Sequence, residues 1–369
     1  MVHPRQFERA LTRRSLLQRG GLAAGALAVP SLLSACGDDG SKQDSKSSGG
    51  REITSGTAVF ADYGGTVRAA RGEAFFRPFE VEFGVRAVPA DADPSKLELF
   101  AKSNRSQWDL LDTDGWDVIR FSREGLLEKL PADVTRCDLV PKRFQTWASG
   151  GYSASAVIGF NTEGGKAPES WVDFFDTTRF PGKRALPNFA WMECEAALLA
   201  DGVPADQVYP LDFDRAFAKL DELRDDILFY DSFGQGMQYL AQGSVAMVLN
   251  TNSRVTVLKD QGLPVELVWN QAIHEQWTGA AVPKGAPHPD AAFALVDFMA
   301  QPEQQAQFAR LTYYGPTNSK ALDALDDATL EKLPNAPDHI KVAFPMDMEA
   351  LSKQLDEYNT RYTEWLAES

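Results

Sequence analysis

The stretch TAVFADYGGTVRAARGEAFFRPFEVEFGVRAV, residues 57–88, decides the fold. Thr57 to Phe60 alternates as a short strand, Ala61 to Gly65 is a glycine-rich turn, and Val67 to Phe83 carries apolar residues at helical spacing. Phe75, Phe76, Phe79 and Phe83 mark one face of that helix. Val85 to Val88 then reads as a second strand. Strand, turn, helix and strand within about 35 residues is the size of one βαβ unit.

The same grammar continues outward. Trp108 to Asp112 is a short apolar strand with Asp114 to Trp116 at its carboxyl end. Asp212 to Arg224 is amphipathic, Ser232 is placed to cap a helix from about Gly236 to Ala241, and Val245 to Leu249 is a strand. Val265 to Val268 and Ala280 to Pro283 alternate as strands. Asp290 to Met299 and Pro302 to Leu311 are helices, and Met348 to Trp365 is a final helix expected to pack rather than to build a site. The pattern is α/β with mostly open sheets. In such sheets ligands bind outside the carboxyl ends of strands, which singles out the loops Tyr63 to Gly65, Asp114 to Trp116 and Ser232 to Gln235.

Upstream of this body, Thr12-Arg13-Arg14-Ser15-Leu16-Leu17 is a twin-arginine export pattern. It is followed by the uncharged run Gly20 to Ala35 and by Leu33-Ser34-Ala35-Cys36, the small-residue pattern that precedes a lipidated cysteine. At about 16 residues the run is shorter than the roughly 20 a membrane-spanning helix needs. Residues 1–35 are therefore expected to be a signal peptide, and Cys36 the site of lipidation. Residues 36–52, dominated by Gly, Ser, Asp and Lys, are expected to form a flexible tether at the outer face of the cytoplasmic membrane, in a periplasm or at a cell surface.

Composition narrows the function. The full chain carries a net charge of −15, and the signal segment is itself basic, so the exported part is more acidic still. Nucleic acid is an unsuitable partner for such a surface. With Cys36 lipidated, Cys137 and Cys194 remain, and two buried free thiols are expected. His274, His288 and His339 form no paired metal-binding motif, and no GxSxG elbow is present, so neither metal nor other cofactor is expected. Gly234-Gln235-Gly236 begins like a dinucleotide fingerprint, but Tyr239 stands where the third glycine belongs. A cofactor enzyme exported in folded form remains the alternative from another class.

Several segments in order along the chain resemble a known family. They are Tyr63-Gly64-Gly65, Gly125-Leu126-Leu127-Glu128, Ser170-Trp171-Val172-Asp173-Phe174-Phe175 and Phe180-Pro181-Gly182-Lys183-Arg184, then Tyr209-Pro210-Leu211-Asp212, Val282-Pro283-Lys284-Gly285-Ala286 and Tyr314-Gly315-Pro316. Together they resemble the extracytoplasmic solute-binding proteins of ABC importers, in the branch that includes spermidine and putrescine binders. The resemblance implies a two-lobed periplasmic-binding-protein-like α/β fold of type II, with the ligand in a cleft between lobes. It implies residues 53–157 and 282–326 in one lobe, 158–281 in the other, and 327–369 as a helical segment bracing both. It further implies a monomer that catalyses nothing, captures a small amine and delivers it to an ABC permease. A sensor feeding a surface receptor would use the same fold.

The resemblance also suggests where the ligand sits. Tyr63 and Gly64, Trp116, and Asp114 between the aromatics fall on ligand-facing positions of polyamine binders. Elsewhere this chain departs from them. Thr251 stands where those proteins carry tryptophan, Thr278 follows Trp277 where an amine-gripping aspartate is expected, and Glu193 lies near, but out of register with, the usual acidic pair. Arg254 adds a candidate clamp for a carboxylate or phosphonate, and Ser232 heads a helix whose amides face an anion. These departures favour an amine-bearing acid, such as γ-aminobutyrate, an opine-like conjugate or an aminophosphonate, over spermidine.

Overall fold

Strand β1 (Thr57–Asp62) runs two residues further than its alternation suggests, and the chain turns away from the sheet at Gly64 and Gly65. The computed structural model describes residues 56–93 and 95–368; the expected signal segment, tether and Cys36 lie outside the described residues. After the turn come a helix Gly65–Arg71, a π-helical turn Gly72–Phe76 and a helix Arg77–Phe83. The wide turn has a local cause. Pro78 has no amide hydrogen and its ring would press on the carbonyl four residues back, so the Arg77 amide instead reaches Gly72 O, five residues back. Gly84, at φ 70°, closes the last turn through Gly84 N–H to Glu80 O at 2.9 Å. Strand β2 (Arg86–Asp91) then pairs parallel with β1, from Thr57 opposite Arg86 to Asp62 opposite Asp91.

Strand β3 (Leu110–Asp114) lies on the other side of β1, also parallel. It sits two residues later than expected, so Asp114 ends the strand rather than following it. Strand β4 (Ala148–Gly150) closes this part of the chain. The chain then enters a second sheet with β5 (Tyr152–Asn161), β6 (Arg184–Pro187), β7 (Ile227–Tyr230), β8 (Met247–Thr251) and β9 (Val265–Glu275). It returns to the first sheet with β10 (Thr278–Ala281) and to the second with β11 (Gly315–Pro316) and β12 (Phe344–Pro345). The strand orders are β2-β1-β3-β10-β4 and β12-β9-β5-β8-β6-β7, with β11 on β5.

The sheet changes therefore fall at Gly151 and at Gln276-Trp277, a few residues before the expected lobe boundaries at 157/158 and 281/282. The two crossings touch. A Cβ on Gly151 would stand 2.1 Å from Thr278 O, so only glycine lets the strands pass this closely.

Each sheet has its own apolar packing. On the first, Phe75 stacks on Phe308 with centroids 5.0 Å apart, and Phe79 packs on Phe298. On the second, Val255, Val248 and Leu240 pack around Gly159, where a Cβ would crowd them. Cys137 and Cys194 are buried and free. The C-terminal helix Met348–Ala367 contacts the helix Gly115–Glu124, where Arg123 donates to Ser352 O at 3.2 Å, and the loop before Phe213, where Leu211 N–H donates to Gln354 Oε1 at 2.8 Å.

Candidate ligand cleft

One wall is built at the carboxyl ends of β1 and β3. Buried Asp62 accepts hydrogen bonds from Gly64 N–H at 2.8 Å and Arg68 Nε at 2.6 Å, which fixes the turn. Gly64 has φ 71° and ψ −158°, a conformation that excludes a side chain, and it turns Tyr63 outward with 52% of its surface exposed. Behind the turn Arg71 is buried between Asp62 at 3.3 Å and Asp112 at 2.5 Å. Burial disfavours its charge, yet Asp112, Tyr152 and Asp62 hold its pKa above the usual arginine value.

Asp114 is half-buried and caps the helix Gly115–Glu124 by position, but its carboxylate makes no capping hydrogen bond. Beside it lies Glu275, the last residue of β9, whose Oε1 accepts from Gly115 N–H at 3.0 Å. Both carboxyls have pKa values pushed well up. For Asp114 the causes are desolvation and then Asp117 and Asp112; for Glu275 they are desolvation and then Asp114. The Tyr63 hydroxyl is pushed up in the same way, by desolvation and then by Asp114, Asp117, Asp112 and Glu275. A side chain open to solvent over half its surface, yet closely surrounded by protein, stands on the side of a concave cleft. Neighbouring buried carboxyls favour the protonated form unless a cation joins them.

The other wall is built at the carboxyl ends of the parallel strands β6, β7 and β8. Ser232 accepts from Gln235 N–H at 3.3 Å and starts a helix at Phe233, three residues earlier than expected. Phe233 packs edge-on against Trp191 at 4.7 Å and Phe189 at 5.4 Å. Arg254, in the first turn of the helix Asn252–Asp260, lies over the Phe233 ring at 5.6 Å. Its Nε is buried with no hydrogen-bond partner among the described residues. The guanidinium reaches the first wall, since a Cβ on Gly65 would stand 3.7 Å from Nη1 and 3.9 Å from Nη2.

The structure thus brings Tyr63, Gly64 and Asp114 together on one wall, and Ser232 and Arg254 onto the other. Thr251, at the head of the Arg254 helix, is buried, and its Oγ1 accepts from the Tyr314 hydroxyl at 3.3 Å. The remaining expected residues lie elsewhere. Trp116 is buried in the core because its helix turns it inward from Asp114. Trp277 is buried and stacked on Phe144 at 5.7 Å, so it packs a crossing strand. Thr278 Oγ1 accepts Tyr152 N–H at 2.9 Å and ties the two crossings. Glu193 is 0% exposed and hydrogen-bonds Trp191 and Tyr358 from beneath the second wall, so it does not face the cleft. Glu275 and Phe233 were missed. An acidic residue ending an alternating strand, directly before the Gln276-Trp277 crossing, was the available signal for the first. Among the described residues no group of three or more His, Cys, Asp or Glu is placed to hold a metal ion, and no helix is long and apolar enough to cross a membrane.

Comparison with known proteins matches this architecture. The γ-aminobutyric acid-binding protein of Pseudomonas aeruginosa is 33% identical over 319 residues, covering 83% of this chain and 89% of that protein. A solved γ-aminobutyric acid receptor superposes with a TM-score of 0.78 at 34% identity, over 85% of this chain and 98% of that one. The binding protein AgtB of Agrobacterium tumefaciens, solved with agropinic acid, gives a TM-score of 0.78 at 27% identity, over 85% of this chain and 99% of its own. The solved relatives are two-lobed binding proteins of ABC importers, which deliver small ligands to permeases rather than transform them. The family model for bacterial extracellular solute-binding proteins matches residues 73–338, a span that takes in strands of both sheets, and the chain belongs to that family.

Proposed function

We propose that this protein captures a small zwitterion with a primary ammonium at one end and a carboxylate at the other, of the γ-aminobutyrate kind, for an ABC permease. One observation carries the reading: the turn Tyr63-Gly64-Gly65 has the Asp114–Glu275 carboxyls at one end and the Arg254 guanidinium at the other. Consecutive Cα atoms are about 3.8 Å apart, so the turn that separates the two ends spans at most about 7.6 Å from Tyr63 Cα to Gly65 Cα. The ammonium would replace the proton that the Asp114 and Glu275 carboxyls favour, with the Tyr63 ring against its methylenes. The ligand carboxylate would pair with Arg254, whose planar fork suits it. The γ-aminobutyrate named for two of the relatives supports the same class.

In this reading the lobes follow the sheets, hinged where the strands cross at Gly151 and at Gln276-Trp277. Ligand favours closure because it bonds both walls at once, and the contact of Arg254 with Gly65 is one that opening breaks. Cys36, acylated after twin-arginine export, would hold the protein at the membrane beside its permease. Thermal melts against γ-aminobutyrate, opines, aminophosphonates, putrescine and spermidine test the class. A ligand at about 100 times its dissociation constant adds roughly 2.7 kcal/mol. Zwitterions are expected to shift the melt; stabilisation by polyamines alone would refute the reading.

A further inference from the structure

We propose that Glu193 is a positioning residue for the cleft, holding the Trp191 segment of the second wall from beneath and tying it, through Tyr358, to the C-terminal helix. The name of what that wall binds rests on the reading above; the positioning does not.

The hydrogen bonds leave little freedom. Tyr358 is buried, its oxygen accepts from Cys194 N–H at 3.1 Å, and its one hydrogen goes to Glu193 Oε2 at 2.7 Å. Trp191 N–H donates to the same Oε2 at 2.9 Å. Two fixed donors make Oε2 an acceptor, so the neutral carboxyl carries its proton on Oε1. That atom is buried with no hydrogen-bond partner among the described residues. Burial, against the Trp191 and Tyr358 hydrogen bonds, pushes the Glu193 pKa up to about 8. At neutral pH the support is therefore neutral. Ionisation leaves a buried charge with one oxygen unsolvated, a cost relieved by letting the Trp191 segment move and water enter. The Trp191 ring packs on Phe233, and Phe233 lies under Arg254, so movement of this segment reaches the anion side of the cleft.

The groups facing Glu193 are few. Glu195 and Cys194 share its helix, Glu193–Ala200; Tyr358, Tyr362 and Arg361 come from the C-terminal helix, and Tyr230 from β7. The neighbouring helix Phe213–Asp221 directs Asp214 to Arg361 and Arg215 to Asp201. The thiol and the four tyrosines that include Tyr209 are all held well above their usual values, chiefly by desolvation. Glu195, pushed up to about 7 by burial against its hydrogen bond from Tyr209, is the one other group expected to titrate in the same range.

The test has two arms. In the ligand-free full-length protein, the fluorescence of Trp191 is isolated as the difference between the parent and Trp191→Phe, and followed from pH 6 to 9.5. A change centred near pH 8 is expected in the parent and in Glu195→Gln but not in Glu193→Gln. A change that survives Glu193→Gln, or that disappears in Glu195→Gln alone, overturns the proposal whatever the ligand is. Calorimetry with γ-aminobutyrate forms the second arm. Glu193→Ala is expected to weaken binding about three- to tenfold, the scale of one or two lost hydrogen bonds, and Glu193→Gln to recover most of it. The ratio of parent to Glu193→Gln affinity should fall as pH passes 8. Should Glu193→Ala fail to fold, Tyr358→Phe provides the weakened variant. A ratio constant from pH 7 to 9 overturns the proposal. If γ-aminobutyrate binds none of these proteins, the ligand reading fails and the fluorescence arm still decides the positioning role.

Discussion

Arg254 and Gly65 meet across the two sheets: the guanidinium lies 3.7 Å from where a Cβ on Gly65 would stand, although the residues are carried by different walls of the cleft. This contact places a cationic side chain of the second wall against the turn that carries Tyr63. If Arg254 grips the ligand carboxylate, Arg254→Gln should weaken γ-aminobutyrate binding by roughly 10- to 100-fold, the scale of lost charge-assisted hydrogen bonds. A ligand lacking the carboxylate should lose almost nothing. Calorimetric titration of both ligands against both proteins checks this.

At the other end of the turn, desolvation pushes the pKa values of Asp114 and Glu275 well up, and on the proposed reading a ligand ammonium would displace the proton this favours. Binding should therefore release close to one proton near neutral pH. It should tighten as pH rises through the raised pKa of the pair, until the ligand amine itself loses its charge. Binding enthalpies measured in buffers of different ionisation enthalpy give the proton count, and Glu275→Gln should reduce it.

The buried carboxyls also set how stability depends on pH. Glu193 at about 8 and Glu195 at about 7 both lie above the ordinary value of 4.5, so between 4.5 and these values the folded state binds more protons than the unfolded one. Stability then falls as pH rises, by up to about 1.4 kcal/mol per pH unit for each group within its window. His274, buried and lowered to about 4 by desolvation, acts in the opposite sense: its stabilisation is present above pH 6.5 and is lost on acidification toward 4. Between pH 6.5 and 8 the carboxyls act with little opposition from His274. Urea melts across that interval should show declining stability, with a shallower decline in Glu193→Gln.

Gly151 tests the crossing. With a Cβ placed 2.1 Å from Thr278 O, Gly151→Ala must push two crossing strands apart, at a cost of about 1–3 kcal/mol. Gly164→Ala, where nothing lies within 4 Å of the new atom, is the matched control for denaturant melts.

The strand-end loops were legible because polar and glycine residues interrupt apolar strands there. The loops Tyr63 to Gly65, Asp114 to Trp116 and Ser232 to Gln235 could therefore be singled out from spacing, whereas Tyr63 and Asp114 as ligand-facing residues rest on the family resemblance and Arg254 on its guanidinium chemistry. What spacing cannot show is which way a side chain turns once a helix begins. Trp116 stands two residues after Asp114, and the first helical turn carries it into the core. Glu193 was legible as an acidic residue near the cleft but not as one facing away from it, because its helix is buried on every side and offers no solvent face to orient by. Glu275 was hidden for a different reason. Its partner is an amide 160 positions earlier, and that pairing exists only because β10 returns antiparallel beside β3.

The most direct test of the account is calorimetric comparison of γ-aminobutyrate with butyrate, which lacks the ammonium, and with butylamine, which lacks the carboxylate. The two-anchor cleft predicts measurable binding of the zwitterion and a loss of at least about tenfold for each analogue, since each forfeits the charge-assisted pairing at one anchor. Equal binding of butylamine and γ-aminobutyrate, or tighter binding of putrescine than of either, would contradict it.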